Sequence, residues 1–469
     1  MDRAKALYFE GNQRMQAGDL RAAEACFREA IALVPDFAEA IANLGFVLES
    51  GGAVEEAEAC YVRALALNAP YPQLHLNHGA LLFRQKRLDE AERAYRQAID
   101  LWPEFSAAWS NLGVLLACRQ REDEAEACYR KALALDPSYA KARFNLSYLA
   151  LRQGRFEEGW RYLEARATEA TNMRLPCPRW EGQPLAGKAL VVRSEGGYGD
   201  TIQLCRYATV LKEQGARHVT WMCYPGLEAL FATADGIDEA IGLEADLSAR
   251  MADFWAPAWS LPFYCGTRID TIPARVPYLH APPERTAQWR AALPPDGVRV
   301  GLVWKGNAAF ENDGERSIAS LSLLAPLWSV PGVRFISLQK GAGESEAACP
   351  PDGLPVLDLG SRMEDFADAA AIVSQIDLVI CVDTAVAHLS GALGKACWVL
   401  LPDYMTDWRW MTRRPDSPWY PNALRLFRQP PGGGWETVVA AVAYALQQWA
   451  ADNGERDGDT CFYVPTRTQ

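Results

Sequence analysis

The sequence predicts a helical repeat array followed by an α/β region with two parallel sheets, which is a combined α + α/β fold class. Small and aromatic residues recur every 34 positions in the first third of the chain, a period typical of repeats built from paired helices. From about residue 176, short apolar strands alternate with helices, as in doubly wound sheets. A second set of strands begins at Val298, after a segment rich in Pro and Trp, and indicates a second α/β domain.

Four columns of residues carry the 34-residue register. They are Gly11, Gly45, Gly79 and Gly113; Ala23, Ala57, Ala91 and Ala125; Phe27, Tyr61, Tyr95 and Tyr129; and Ala30, Ala64, Ala98 and Ala132. The Gly and Ala columns predict two helices that approach closely, and the aromatic column fills the space between them. In each unit, a Pro at the same position of the repeat or one residue later is predicted to end the second helix. This pattern resembles the tetratricopeptide repeat, and a degenerate fifth unit at residues 140–168 is expected to cap the array.

A further column, on the first helix of each unit, consists of Asn43, Asn77, Asn111 and Asn145. In tetratricopeptide repeats that helix faces the concave groove, and O-linked N-acetylglucosamine transferases carry similar asparagine ladders. A side-chain amide both donates and accepts hydrogen bonds, so such a ladder can bind the backbone of an extended peptide. The alternative is that each Asn bonds within the array. The four residues are therefore candidate acceptor-binding residues.

The α/β region contains predicted strands at residues 188–193, 218–223, 298–304, 334–338, 378–382 and 396–401. A Gly-rich loop, SEGGYGD, follows the first of these strands and precedes a predicted helix at residues 201–214. Two α/β units in tandem indicate two Rossmann-like domains that face one another. A ligand cleft is then expected between the carboxyl ends of their strands.

The segment DLVICVDTAVAHLSGALGKACWVLL, residues 377–401, combines a buried strand, a turn and the start of a helix. Unpaired N–H groups and the positive end of the helix dipole make such a turn suited to an anion. Asp383 and Thr384 form the turn, Ala385 begins the helix, and His388 lies one turn into it. The alternative is an ordinary βαβ unit in which Asp or Thr only caps the helix.

Several segments of the α/β region occur in a recognisable order: EGGYGDTIQLCRYATVL, VGLVWKGN, GERSIASLSLLAPL, FISLQKG and VDTAVAHLSGALGK. Together they resemble the heptosyltransferase-like branch of the GT-B glycosyltransferases, and the DWRWMTRR segment is similar to a bacterial subgroup that joins such a domain to tetratricopeptide repeats. The resemblance implies a repeat array at residues 1–170, an acceptor-side Rossmann-like half at 171–290, a nucleotide-sugar half at 291–451 and a polar tail at 452–469.

The resemblance also implies a metal-independent, inverting glycosyltransferase that uses a nucleotide-sugar as substrate and needs no cofactor. Asp200 matches the general base of these enzymes, since an acceptor hydroxyl must lose its proton as it attacks the anomeric carbon. The alternative is that Asp200 only caps the following helix. Gly197 and Gly199 would let the backbone approach the acceptor. The implied donor-binding residues are Lys305, Asn307, Ser317, Gln339, Asp383, Thr384, Ala385 and His388.

Composition narrows the function classes further. The 469-residue chain has a formal net charge of −12, which argues against nucleic acid as its main partner. Its 12 cysteines are scattered without the spacing of a zinc site and are typical of reduced cysteines in the cytosol. Neither a membrane span nor a signal-peptide core is predicted, so we expect a cytoplasmic protein.

Three functions stay open on the sequence alone. The first is glycosyl transfer to a Ser or Thr hydroxyl of a protein held in the repeat groove. The second is transfer to a saccharide or lipid, with the repeats as a docking module, and the third is an inactive scaffold for protein–protein interaction. Asp200, Lys305 and the 383–388 turn favour an enzyme, and the asparagine ladder favours a protein acceptor.

Two further points are left open. ADP-heptose, a CMP-linked nonulosonic acid and UDP-hexoses are all compatible as donors. Trp408, Arg409 and Trp410 are expected either to line the cleft or to pack the chain between the two halves, and packing is favoured.

Overall fold

The computed structural model describes residues 1–67, 70–166, 175–246, 252–310, 312–412 and 414–453. Nearly all of the predicted polar tail, from residue 454 onward, lies outside the described residues. The chain divides into two compact units, Met1–Leu149 and Ala150–Gln469.

The first unit consists of helices that pair with their neighbours along the chain. They are α1 (Asp2–Gln16), α2 (Leu20–Leu33), α3 (Ala38–Ser50), α4 (Val54–Ala66), α5 (Pro72–Arg84), α6 (Leu88–Leu101), α7 (Ser106–Cys118), α8 (Glu122–Leu135) and α9 (Ala140–Arg152), the last of which runs into the second unit. Asp19 shows how a turn residue starts one of them, because its carboxylate accepts the Ala22 N–H at 3.1 Å.

The repeating columns occupy the contact between paired helices, as the sequence predicts. Both Ala columns are fully buried, and each Gly of the Gly column touches the aromatic residue 16 positions later. A Cβ atom added at Gly79 would lie 2.7 Å from the Tyr95 ring, and one at Gly113 would lie 2.6 Å from Tyr129. Glycine is therefore required in this column because the ring fills the space that a side chain would need.

Replacing Gly79 with Ala is expected to lower the free energy of unfolding by about 1–3 kcal/mol, the usual cost of overpacking a core. Chemical denaturation of the full chain measures the change. Gly51→Ala is the matched control, since its added Cβ would lie 3.4 Å or more from its neighbours, an ordinary contact distance. Equal effects of the two substitutions would contradict the packing role of the Gly column.

The second unit contains two separate parallel sheets. The strands are β1 (Ala189–Arg193), β2 (His218–Cys223), β3 (Glu239–Gly242), β4 (Phe254–Pro257), β5 (Val298–Val303), β6 (Val333–Ser337), β7 (Val356–Asp358), β8 (Leu378–Val382), β9 (Cys397–Leu401) and β10 (Leu424–Arg428). The first sheet has the order β3-β2-β1-β4 and the second has the order β10-β9-β8-β5-β6-β7. The α + α/β fold class is thereby confirmed. The strands β1, β8 and β9 are buried along their whole length, as predicted for central strands.

Helices connect and cover these strands. They are α10 (Phe156–Leu163), α11 (Tyr198–Leu204), α12 (Tyr207–Glu213), α13 (Glu228–Phe231), α14 (Leu261–Tyr264), α15 (Pro283–Arg290), α16 (Asp313–Arg316), α17 (Glu344–Ala348), α18 (Phe366–Val373), α19 (Ala385–Ala392) and α20 (Trp435–Asn453). The helix predicted at residues 201–214 is in fact two helices, α11 and α12. In the core of the second sheet, Val300, Leu302 and Ile380 pack with Val438 and Leu446 of α20.

Helix α10 belongs to the second unit, although the sequence analysis places residues up to 170 in the repeat array. Its aromatic side chains explain this. The Trp160 ring lies 5.3 Å from that of Trp408, and the Trp160 indole donates a hydrogen bond to the Thr267 carbonyl at 2.9 Å. The Phe156 ring stacks on Trp419 with centroids 5.9 Å apart. The end of the degenerate fifth repeat is thus built into the α/β unit.

None of the helices in the described ranges is both long and apolar enough to cross a membrane.

Candidate active site

The Gly-rich loop after β1 ends at Asp200, in the first turn of α11. Gly196 has a backbone φ of +75°, a conformation that residues other than glycine rarely adopt. One Asp200 carboxylate oxygen, Oδ2, accepts the Gly197 N–H at 2.6 Å and so caps the helix. The other oxygen, Oδ1, accepts a hydrogen bond from Arg409, and the side chain remains 19% exposed. Capping and a role at the cleft are therefore compatible.

The Gly-rich loop meets the start of α19, which brings residues of the two sheets together. A Cβ atom added at Gly199 would lie 2.7 Å from His388 and 3.5 Å from the Ala385 backbone. Glycine is therefore needed at position 199 because α11 packs closely on α19, a requirement that the sequence does not reveal. Asp200 and the turn at Asp383 are consequently on neighbouring helix starts.

His388 lies behind this contact. The side chain is buried, its Nδ1 is 2.9 Å from the Tyr420 hydroxyl, and its ring stacks on Trp410 with centroids 5.2 Å apart. Burial lowers the pKa of His388 well below its ordinary value, and the charges of Arg409 and Arg206 act in the same direction. A neutral imidazole in this position supports the helix start rather than supplying positive charge to a phosphate.

The first turn of α19 offers polar groups. The first N–H groups of a helix lack acceptors within the helix, and Thr384 precedes Ala385 with an extended backbone. The Thr384 hydroxyl oxygen is buried and has no hydrogen-bond partner among the described residues. Burial and the nearby Asp407 carboxylate raise the pKa of Asp383 to about 6, against the opposing effects of Trp410 and two arginines. The turn can therefore hold an anionic ligand best when Asp383 is protonated or faces away from it.

Lys305 follows β5 and points to Glu346, with which it forms an ion pair. Two hydrogen bonds fix its backbone: the Gln339 side chain accepts the Lys305 N–H at 2.9 Å and donates to the Lys305 carbonyl at 3.0 Å. Gln339 is almost completely buried, and its amide also bonds Trp304 and Lys340. The structure thus places Gln339 as a support for the lysine loop, whereas the sequence analysis assigns it to the donor.

Ser317 and Asn307, two other residues predicted to bind the donor, also make hydrogen bonds within the loop that follows Lys305. The Ser317 hydroxyl accepts the Gly306 N–H at 2.8 Å and donates to Asp313 at 2.9 Å, so it holds the loop that follows Lys305. Asn307 is exposed, and its side-chain oxygen accepts the Ala309 N–H at 3.0 Å.

Arg409 has more contacts with the candidate site than the sequence predicts. Its side chain is only 5% exposed, and it bonds Asp200 and Gln203 of α11 as well as Asp407 of its own loop. The guanidinium also lies 4.4 Å from the centre of the Trp408 ring. The signal in the sequence was a charged residue between two tryptophans, with an Asp two positions earlier. Such an arginine needs carboxylate partners once it is buried.

Arg409 also affects the electrostatics of Asp200. Burial raises the pKa of the Asp200 carboxyl above its ordinary value, and the Arg409 guanidinium opposes this rise. A carboxylate that is more basic than a free Asp is suited to accept a proton from a hydroxyl.

In the repeat array, the asparagine column already makes hydrogen bonds. The Asn43 amide donates to Asn12 at 2.7 Å, and the Asn77 oxygen accepts from Gln73 at 2.7 Å. Asn145 donates to Ser110 at 3.5 Å, and Asn111 lies beside the Tyr95 hydroxyl. All four side chains are only partly buried. Each amide has two donor and two acceptor positions, so these bonds leave capacity for a ligand.

Comparisons with known proteins cover the two parts of the chain unequally. The tetratricopeptide-repeat family matches residues 10–75, 76–140 and 128–161. The chain is 28% identical over 333 residues to Protein FlbA of Caulobacter vibrioides, which covers 65% of this chain and 54% of that protein. The chain therefore spans about half the length of the curated relative it matches.

Solved structures similar to the chain align with about a third of it. One is MamA, at 19% identity and a TM-score of 0.30, covering 33% of this chain and 91% of MamA. Another is pilF of Pseudomonas aeruginosa, at 23% identity and a TM-score of 0.34, covering 36% of this chain and 79% of that structure. The family matches show that residues 10–161 contain tetratricopeptide repeats, which support a protein-interaction module.

Proposed function

We propose that the chain is a metal-independent, inverting glycosyltransferase that moves a sugar from a nucleotide-sugar to a protein hydroxyl presented by the repeat array. One observation carries this proposal: the Gly-rich loop with Asp200, which follows β1 of the first sheet, meets the start of α19 with Thr384, which follows β8 of the second sheet, where α11 contacts α19. Ligands of open α/β sheets bind at the carboxyl ends of their strands, where both segments lie.

In the proposed reaction, the acceptor oxygen forms a bond to the anomeric carbon as the bond from that carbon to the donor phosphate breaks. Asp200 accepts the proton that the acceptor hydroxyl loses. The ion pair to Arg409 holds the carboxylate in place, and 19% of the Asp200 side chain stays exposed. Attack from the side opposite the leaving group inverts the configuration at the sugar carbon.

The leaving nucleotide phosphate needs stabilisation of its negative charge. The N–H groups at the start of α19 and the Thr384 hydroxyl supply hydrogen bonds, and Lys305 supplies a positive charge. Lys305 also forms an ion pair with Glu346. The pKa of Glu346 is lowered, because hydrogen bonds from Lys305, Ser320 and the Leu321 backbone outweigh the effect of burial. These groups can act without a divalent cation, and in the proposed complex Asn307 bonds the sugar or the phosphate.

Replacing Lys305 with Ala is expected to weaken nucleotide binding by roughly 1–3 kcal/mol, the range for a charge-assisted hydrogen bond. Calorimetric titration with nucleoside diphosphates in the presence of EDTA measures this change. Lys188→Ala is the control, since Lys188 lies just before β1, at the opposite end of the strand from the Gly-rich loop, and pairs with Asp253. Unchanged affinity in Lys305→Ala, or loss of wild-type binding in EDTA, would refute the donor site.

The proposed acceptor is an extended segment of a partner protein bound along the asparagine ladder. Changing Asn43, Asn77, Asn111 and Asn145 together to Ala is expected to weaken acceptor binding by a few kcal/mol, since each hydrogen bond contributes about 0.5–1.5 kcal/mol. The loss should appear with a protein acceptor and be absent with a small glycoside. Asn12→Ala is the control, because it removes the partner of Asn43 and leaves the ladder itself intact.

A second candidate function is transfer to a saccharide, with the repeats used only for docking. The bonds that Asn43, Asn77 and Asn145 make inside the array favour it, because they give the ladder a structural task. Equal losses on the protein and the glycoside would support this alternative, and so would full activity of the fourfold variant on both.

A further inference from the structure

The end of the degenerate fifth repeat is anchored beside the Gly-rich loop through a buried ion pair. Arg166 lies just after α10, and its Nε and Nη2 atoms donate to the two carboxylate oxygens of Glu195 at 3.1 and 2.7 Å. Both side chains are only 2% exposed. Glu195 is the second residue of the SEGGYGD loop and comes five positions before Asp200. A two-pronged contact of this kind fixes orientation as well as distance.

A second layer of hydrogen bonds holds Arg166 itself. Its guanidinium also donates to Glu164 at 2.8 Å and to the Ser260 hydroxyl at 2.9 Å. Arg179 belongs to the same cluster, because it donates hydrogen bonds to Glu164 at 2.8 Å and to the Ser260 hydroxyl at 3.0 Å. Its bonds to other described residues do not include one to Glu195. Arg179 therefore offers a matched comparison for any substitution at Arg166.

Each residue of the loop before α11 has its own anchor. The Ser194 hydroxyl accepts the indole N–H of Trp221 at 3.0 Å, and the Gly196 carbonyl accepts the Tyr224 hydroxyl at 2.8 Å. The Gly197 N–H binds Asp200. These three anchors come from the first sheet and its connections, whereas Glu195 is also held from the segment that ends the repeats, by Arg166.

The contacts continue from Glu195 toward Arg409. The Glu195 carboxylate accepts the Trp259 backbone N–H at 3.2 Å, and the Arg409 guanidinium lies 5.2 Å from the centre of the Trp259 ring. Arg409 in turn bonds Asp200. Arg166 is therefore linked to Asp200 in two ways. Glu195 and Asp200 belong to the same loop, and Trp259 contacts both Glu195 and Arg409.

We propose that Arg166 is a positioning residue for the candidate base: it fixes Glu195, and through Glu195 it fixes the loop conformation in which Gly197 and Arg409 hold Asp200. Part of this inference rests on the proposed glycosyl transfer, because a base has a function only if the reaction occurs. The order of the loop itself can be measured without any substrate.

The test is hydrogen exchange measured by mass spectrometry on the full-length chain, in wild type, Arg166→Lys, Arg166→Met, Glu195→Gln and Arg179→Met. In Arg166→Met, amides of the peptide covering residues 194–204 should exchange at least about tenfold faster, since local opening has become easier. Glu195→Gln should show the same direction, and Arg166→Lys should restore most of the protection. Arg179→Met should leave this peptide unchanged.

A purely structural role predicts another pattern, in which Arg166→Met and Arg179→Met raise exchange equally throughout residues 150–166 and leave the loop no more affected than the rest. That pattern would overturn the inference, and so would wild-type exchange of the loop in both Arg166→Met and Glu195→Gln. If Arg166→Met does not fold, Glu195→Gln compared with Arg179→Met still decides between the two results.

A kinetic measurement separates this inference from the proposed function. Arg166→Met and Glu195→Gln should lower kcat while the KM for the nucleotide-sugar stays near that of wild type, because the proposed donor residues are on the other sheet, and Arg166→Lys should restore most of kcat. A wild-type protein without transferase activity would refute the proposed function, yet the exchange result would still establish or exclude the control of the loop by Arg166.

Discussion

The Asp200→Asn variant should transfer sugar about 10²–10⁴-fold more slowly than wild type, the usual contribution of a general base. Asparagine keeps the size of the side chain and an oxygen that can accept the Gly197 N–H, but it cannot take a proton from the acceptor hydroxyl. Donor binding should survive, because the proposed phosphate-binding groups are at Lys305 and Thr384. Initial rates and nucleotide titrations measure the two quantities separately.

Asp407→Asn is the control for this result, because Asp407 also bonds Arg409 and likewise accepts a backbone N–H, that of Arg409. It disturbs the same ion-pair cluster and leaves the candidate base intact. We expect transfer within about tenfold of wild type in this variant. Equal losses in the two variants would show that the charge cluster, and not the basicity of Asp200, limits the rate.

Replacing Arg409 with Met is expected to lower the free energy of unfolding of the second unit by roughly 3–5 kcal/mol, the cost of leaving buried partners without their counter-charge. Asp200 and Asp407 both lose an ion pair in this variant. Denaturation followed by tryptophan fluorescence measures the effect, since most tryptophans lie in this unit. Arg425→Met is the control: Arg425 is exposed and lies over the Trp398 and Phe427 rings, so its loss should change the stability by about 0.5 kcal/mol or less.

The penalty in Arg409→Met should also depend on pH. The pKa values of Asp200 and Asp383 are already raised by burial, and Arg409 opposes the rise in both, so its removal raises them further. A carboxyl with a raised folded pKa destabilises the fold once it ionises. The loss of stability should therefore be smallest near pH 5 and grow as the pH passes about 6, where Asp383 ionises. A penalty that is constant from pH 5 to 8 would contradict this electrostatic origin.

The sequence predicted the repeats well because the 34-residue register reflects direct packing. Each Gly faces the aromatic residue 16 positions on, and both are read from one unit of the repeat. The central strands were predicted for a similar reason, since strands buried on both faces form continuous apolar runs. The strands that were not predicted, β3, β4, β7 and β10, are the edges of the two sheets. Of these, β3 and β7 are short and only partly buried, so their apolar pattern is weak. The apolar run of β4 is only four residues long, and in β10 an exposed Arg425 interrupts it.

The two halves of the candidate site were chosen on different grounds. Asp200 came from the resemblance to the GT-B glycosyltransferases and the turn at Asp383 from the strand–turn–helix pattern, and the structure brings their helices into contact. The tasks of Gln339, Ser317 and Gly199 could not be read from the sequence, because each depends on a neighbour that is distant along the chain. Gln339 bonds a residue 34 positions earlier, and Gly199 packs on His388 of the other sheet.

The same reason explains Arg409. It bonds Asp200 across 209 positions of sequence, and no local pattern reveals such a contact. The ion pair between Arg166 and Glu195 likewise joins the end of the repeats to a loop after β1, so a boundary placed at residue 170 from the repeat period alone separates residues that the fold keeps together.

The most direct measurement is sugar incorporation by the purified chain, in EDTA, from ADP-heptose, a CMP-linked nonulosonic acid and UDP-hexoses. Extract from cells that lack the gene supplies the acceptor, and intact-mass spectrometry detects the product. We expect one donor class to add a sugar mass to a protein, and we expect Asp200→Asn to incorporate at least about 10²-fold less. No incorporation from any of these donors, or equal incorporation by wild type and Asp200→Asn, would contradict it.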